Sequence, residues 1–168
     1  MVDFPLGSGT VAMKVMEGVE AVRNGATELD VVMNVGLFKA GRYETVATEL
    51  KDFIVLTPGV VHKVIIETCY LTDAEKAGAS RLVAEVGADF VKTSTGFGPG
   101  GARPGDVAII KEAAIGKSKV KAAGGIKDLD TLMHMVAAGA ERIGTSSGAS
   151  IIEEFIWRNK ASQESPDN

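Results

Sequence analysis

A second cysteine is missing from this sequence. Cys69 stands alone among 168 residues, so no internal disulfide can form, and a lone thiol fits a reducing compartment. Histidines number two, His62 and His134, and neither shares a metal-ligand spacing with cysteine or acid; both read as surface or packing residues. Basic residues form no run and the net charge is −4, which gives no electrostatic case for nucleic acid. No apolar stretch approaches the roughly 20 residues of a membrane-spanning helix. The opening MVDFPLGSG lacks a basic region followed by an apolar core, so no secretion signal is expected and the cytoplasm is the expected compartment. No GxGxxG follows the first strand, and no acidic residue stands in the matching place, which disfavours a dinucleotide-binding sheet.

What is present is a globular composition: 45% hydrophobic, 24% charged, 20 glycines and only 5% aromatics. Tight turns joining aliphatic strands and helices give that balance, and the length suits one domain. The chain opens with VDFPLG, the end of a strand broken by Pro5 and Gly7. Ser8 or Thr10 can cap a helix with apolar residues at Val11, Val15, Val19 and Val22, stopped by Asn24-Gly25. ELDVVMNVG is a valine-rich strand, residues 39–42 a polar turn, and Tyr43 to Phe53 a helix. HKVIIET is a strand, and Thr72 with Glu75 forms a capping box for a helix reaching Val86. A strand at FVKTS follows, then a helix from Asp106 to Ala114, a strand at KVKAAGGI, and a helix starting at Asp128. ERIGTSSG is the last strand and Ala149 to Trp157 the last helix; the polar residues 158–168 are expected to be a disordered tail. Met13, Met16, Met133, Met135 and Trp157 are expected to pack in the interior.

Strand–helix alternation repeated about six times, with aliphatic strands, predicts a parallel sheet covered by helices. The repeated units fit a (β/α)8 barrel, two units short of closure, better than an open doubly wound sheet. Four charged residues occupy strand interiors: Asp30, Lys63, Lys92 and Lys121, with 29 residues from Lys63 to Lys92 and again from Lys92 to Lys121. Side chains of matching phase converge on a barrel axis. Clustered, desolvated amines lower one another's pKa, and a free amine condenses with a carbonyl to a Schiff base. Asp30 can shuttle protons. The plainer reading is ion pairs stitching the interior together. The spacing does not choose between Lys92 and Lys121 as nucleophile. Gly124-Gly125 and the run Gly144 to Gly148 (GTSSG) each join a strand to a helix, where exposed backbone N–H groups form an anion site suited to phosphate. Thr95 and Gly96, at the neighbouring glycine-rich mouth from Phe90 to Gly101, are expected to contribute to the same phosphate site. Cys69 reads as a small filler and Glu67 as a supporting acid.

The motifs ELDVVMNVG, KVIIET, DFVKTSTGFGPGGA, VKAAGGI and RIGTSSG, in that order, resemble the deoxyribose-phosphate aldolases over Asp3 to Ile152. The resemblance implies a class I aldolase, a carbon–carbon lyase on a (β/α)8 barrel. Its substrate would be 2-deoxy-D-ribose 5-phosphate, cleaved reversibly to D-glyceraldehyde 3-phosphate and acetaldehyde in deoxyribonucleotide catabolism, without a metal or other cofactor. It assigns Lys92 as the Schiff-base lysine, Lys121 as the lysine that lowers its pKa, and Asp30 as the proton donor and acceptor, with Lys63 supporting. Gly124, Gly125, Gly144, Ser146 and Ser147 match the family's phosphate loops. Roughly two and a half further units precede VDFPLG in the family, so residues 1–157 are expected to form an N-terminally truncated barrel with about six of eight units. The implied partners are small phosphorylated sugars and aldehydes, with neither nucleic acid nor membrane, and pairing with another copy is left open. A Schiff-base aldolase for another short phosphorylated sugar, or an inactive or partner-dependent fragment, are the competing readings.

Overall fold

Local signals set the helices first. The computed structural model describes residues 1–163, with side chains through residue 160. Helix α1 spans Val11–Arg23, and Thr10 caps it by accepting from the Met13 N–H. A short α2, Val35–Lys39, is capped by Asn34, and α3 spans Tyr43–Leu56. Helix α4, Asp73–Glu85, starts in the expected capping box: Thr72 accepts from the Glu75 N–H while Glu75 reaches back to the Thr72 N–H. Helices α5, Pro104–Ala113, α6, Leu129–Ala137, and α7, Gly148–Gln163, complete the outer layer.

Five strands alternate with these helices: β1 Glu28–Val32, β2 Val61–Ile65, β3 Phe90–Lys92, β4 Lys119–Ala123 and β5 Arg142–Gly144. They pair in chain order, all parallel. Side chains alternate faces along each strand. Leu29, Val31, Val64, Val91, Val120 and Ala122 point outward and pack with Leu50, Phe53, Val83, Val107 and Ile110 of the helices, forming the buried apolar core. Glu28, Asp30, Lys63, Lys92, Lys121 and Arg142 take the other phase and face inward.

The sheet is strongly curled. On a flat sheet, strands three apart lie about 14 Å from each other, at about 4.8 Å per strand. Yet the Asp30 Oδ2 of β1 is 2.7 Å from the Lys121 Nζ of β4. One strand further, Glu28 of β1 forms an ion pair with Arg142 of β5. The architecture is a curled half-barrel of the (β/α)8 type. Of the six expected units, five are strands. The sixth, VDFPLG, contributes a single parallel bridge, Val2 to Val31, made by the Val2 N–H to Asp30 O at 2.8 Å and the Val32 N–H to Val2 O at 3.2 Å. Asp3 turns to φ +50 directly after it, and the chain leaves the sheet.

Other expectations are corrected. The turn assigned to residues 39–42 is preceded by α2, since Val35 and Gly36 belong to that helix and not to the strand before it. Helix α7 runs to Gln163, six residues past Trp157, and Arg158 in that stretch pairs with Asp130 and Glu154; residues 164–168 of the expected tail lie outside the described residues. Met135 is buried, but Met13, Met16, Met133 and Trp157 are exposed, Trp157 at 69%. Met13 and Met16 of α1, Met133 of α6 and Trp157 of α7 stand on the solvent-facing sides of their helices. His62 is a buried packing residue, its Nε2 2.8 Å from the Thr57 hydroxyl, and burial pushes its pKa down.

Candidate active site

The concave face places one carboxylate among three amines. Asp30 lies level with Lys63 in the β1–β2 pair, and Lys92 lies level with Lys121 in the β3–β4 pair. Lys63 is opposite Phe90, so the equal 29-residue spacing does not put all three lysines in one row. The long amine stems close the difference. Asp30 Oδ2 is 2.8 Å from Lys92 Nζ and 2.7 Å from Lys121 Nζ, and Asp30 Oδ1 is 3.0 Å from Lys63 Nζ. Below this row Lys63 also reaches Glu28 Oε2 at 2.7 Å. Two acids thus face four bases, counting Arg142, so the interior is a net cation inside an acidic protein. That polarity suits an anionic substrate.

Burial is deep and the charges are unevenly shared. Asp30 is 7% exposed, Lys92 6% and Lys63 2%. Desolvation pushes the Asp30 carboxyl up, but hydrogen bonds from Lys121 and Lys92, the Lys92 charge and a hydrogen bond from Lys63 hold it well below the usual carboxylate range. For Lys92 the balance goes the other way. Burial lowers its pKa, and the Lys121 and Lys63 charges lower it further, against the raising effect of Asp30. A buried amine with a depressed pKa, at an open barrel mouth, is the chemistry of carbonyl addition.

The strand ends above the lysines bring the expected glycine loops together. Gly124 and Gly125 both take positive φ. Gly101 lies so close to Gly124 that a Cβ there would sit 2.3 Å from the Gly124 carbonyl oxygen, which accepts from the Ala102 N–H at 3.0 Å. The Thr145 hydroxyl donates to Ile126 O at 2.6 Å and accepts from the Ser147 N–H at 2.9 Å, tying the GTSSG run to the Gly-Gly loop. The two helix starts differ. Asp128 caps α6 and Glu154 accepts from Leu129 N–H, so carboxylates already occupy it. No described side chain accepts from the first N–H groups of α7, beside Ser146 and Ser147. Gly144 has a further reason to be glycine: a Cβ there would press on the Lys121 stem, 3.3 Å from its Cε. Thr95 has both its N–H and its O–H committed to Glu67, whereas Gly96 is exposed at the mouth.

Two groups outrun the sequence reading. Glu67 is 3% exposed and grips Thr95, more than a bystander acid at a strand end. Lys14 of α1 is 1% exposed, and its amine reaches Glu49 and Asp3 as well as the carbonyls of Gly7 and Val32. A signal existed for the second: Lys14 sits on the Val11–Gly18 stripe of α1, and Glu49 beside Val46, Leu50 and Phe53 on α3. Cys69 is half-buried with its pKa pushed up by burial, consistent with a filler. Among the described residues no three His, Cys, Asp or Glu side chains converge as a metal set, and no helix is long and apolar enough to cross a membrane.

A curled parallel sheet that gathers amines around one carboxylate on its concave face fits an aldolase of the (β/α)8-barrel class. The chain belongs to the DeoC/LacD family of aldolases, whose model matches residues 5–154. It is 53% identical over 159 residues to the deoxyribose-phosphate aldolase of Aquifex aeolicus, covering 95% of this chain and 73% of that protein. Among solved structures, the aldolase QR15 superposes with a TM-score of 0.91 at 52% identity, over 95% of this chain and 72% of that one. A deoxyribose phosphate aldolase from Aeropyrum pernix, described as tetrameric, superposes with a TM-score of 0.85 at 35% identity, over 92% of this chain and 66% of that one.

Proposed function

We propose that this chain cleaves 2-deoxy-D-ribose 5-phosphate reversibly to D-glyceraldehyde 3-phosphate and acetaldehyde, with Lys92 as the Schiff-base nucleophile. The observation that carries the reading is the single Asp30 oxygen within 2.8 Å of Lys92 Nζ and 2.7 Å of Lys121 Nζ. The neutral Lys92 amine adds to the C1 aldehyde of the open-chain sugar, and loss of water gives a protonated imine. Removal of the C3 hydroxyl proton breaks the C2–C3 bond; the electron pair moves into the imine, leaving an enamine and releasing D-glyceraldehyde 3-phosphate. Proton return to C2 and hydrolysis release acetaldehyde and restore Lys92. Asp30 and Lys121, with water, move these protons, and Lys121 and Lys63 keep the Lys92 pKa low.

The phosphate binds where Gly124, Gly125, Gly144, Ser146 and Ser147 meet, with Gly96 at the rim. There it orients the reacting carbons with binding energy remote from them. The family match over residues 5–154 supports a catalytic domain within residues 1–157. Its partners are then small phosphorylated sugars and aldehydes and not nucleic acid, its compartment the cytoplasm, and the tetrameric relative supports a homo-oligomer.

Borohydride trapping tests this. Incubation with 2-deoxyribose 5-phosphate, reduction and peptide mass mapping should place a stable adduct on Lys92. An adduct on Lys121 instead, or none on a folded chain, would overturn the assignment.

A further inference from the structure

The loop that follows β3 is held by a carboxylate with no place in imine chemistry. Glu67 lies just beyond β2. On either side of it the backbone continues the ladder to β3: the Ile66 N–H donates to Lys92 O at 3.0 Å and the Thr68 N–H to Thr93 O at 2.9 Å. Between these bonds Glu67 takes φ +52, a conformation that a residue with a Cβ keeps only where its surroundings impose it. The kink aims the side chain at the exit of β3. Both carboxylate oxygens lie 3.2 Å from the Thr95 N, and one of them accepts the Thr95 hydroxyl proton. With its proton so committed, the Thr95 oxygen accepts from the Phe97 N–H at 3.0 Å. The loop then folds back over the acid: a Cβ on Gly98 would lie 2.8 Å from Cys69 Sγ and 3.4 Å from Glu67 Cδ.

Among the described residues no cation pairs with Glu67. A buried carboxylate without a counter-ion is stabilised by the donors that face it, and those recorded here are the loop's N–H and O–H groups and, at 3.8 Å, the Cys69 thiol. The far end of the same loop rests on Gly124, through Gly101 and Ala102. A side chain on Gly124 would also meet Gly96 Cα at 3.5 Å. One end of the loop is therefore fixed by Glu67 and the other by a residue of the proposed phosphate site.

We infer that Glu67 is the positioning residue of this mouth loop: by gripping Thr95 it sets where Gly96 stands against Gly124, and so tunes affinity for the phosphate end of the substrate without touching the bond that breaks. The inference rests on the phosphate reading given under Proposed function.

Glu67→Gln keeps the shape and removes the charge and one acceptor. Affinity for inorganic phosphate, measured by calorimetry, should fall about tenfold, the equivalent of one hydrogen bond lost. The KM for 2-deoxyribose 5-phosphate should rise by a similar factor, with kcat far less affected. Hydrogen exchange should quicken in a peptide covering residues 94–102 and stay unchanged in β2. Thr95→Val should reproduce the split, and Thr95→Ser, which keeps the hydroxyl, should retain the parent's phosphate affinity and KM. Unchanged phosphate affinity in Glu67→Gln, or a loss carried by kcat with KM unchanged, overturns the inference. If the parent cleaves no sugar, the functional reading fails, and phosphate affinity with loop exchange still decides the role of Glu67. A parent chain that binds no phosphate overturns both.

Discussion

Two lysines in this molecule are both buried and sit in opposite surroundings. Lys14 sits outside the sheet, between α1 and α3, where its one amine meets two carboxylates and two backbone carbonyls. Lys92 sits inside the curl, where it shares one oxygen of Asp30 with Lys121 while Lys63 takes the other. Four acceptors surround the first amine; three amines divide a single carboxylate at the second. Burial alone therefore does not make a nucleophile. The ratio of acceptors to amines separates the two sites, and on it rests the proposal that Lys92 is the reactive base.

Exchanging the consequences of the two sites would break that contrast. Lys92→Met should reduce turnover by at least about 10⁴-fold and leave stability close to that of the parent, since Asp30 retains two amines. Steady-state rates and guanidinium denaturation on the same samples would show it. Lys14→Met should do the reverse and destabilise the fold by about 3–5 kcal/mol, because Glu49 is left buried without its amine. Adding Glu49→Leu should recover much of that loss, and a failure to recover would mean that Lys14 acts mainly through Gly7 and Val32.

The inner site can be sharpened by pH. Lys92 must lose its proton to attack, so trapped adduct should increase as pH rises through its pKa. Lys121→Met removes a cation that lowers this pKa and leaves Asp30 more fully to Lys92, so the rising limb should move to higher pH. Asp30→Asn removes the hydrogen bond and charge that raise it, so the limb should move to lower pH. Shifts in the same direction would contradict the shared-oxygen picture. At the weak end, Lys111 pairs with Glu141 at 2.7 Å with both side chains well exposed, and Lys111→Ala should change denaturation stability by less than about 1 kcal/mol.

Much of this is legible in the sequence. Capping at Thr10, Thr72 and Asp128 and the aliphatic strands give the alternation, and charges in strand interiors point to Asp30, Lys92 and Lys121. What stayed hidden depends on register and on partners far along the chain. Equal spacing says nothing of level, and pairing in a staggered sheet puts Lys63 beside Asp30 and opposite Phe90. The five residues of α2 are too few to show a period. Glu67 reads as one more acid until its φ and its grip on Thr95 are seen. The methionines of α1 share a helix with apolar valines, yet their face points away from the sheet.

The reach of Asp30 across the sheet makes the shared carboxylate a gauge of curvature. Lys121 touches it only because β1 and β4 are bent towards each other far more closely than a flat ladder allows. Relaxing that bend would part the two groups before any strand lost its neighbour. Reactivity at Lys92 would then respond to mechanical changes in the sheet that secondary-structure measurements do not register. Anything that braces β1 against β4 would hold that contact from a distance.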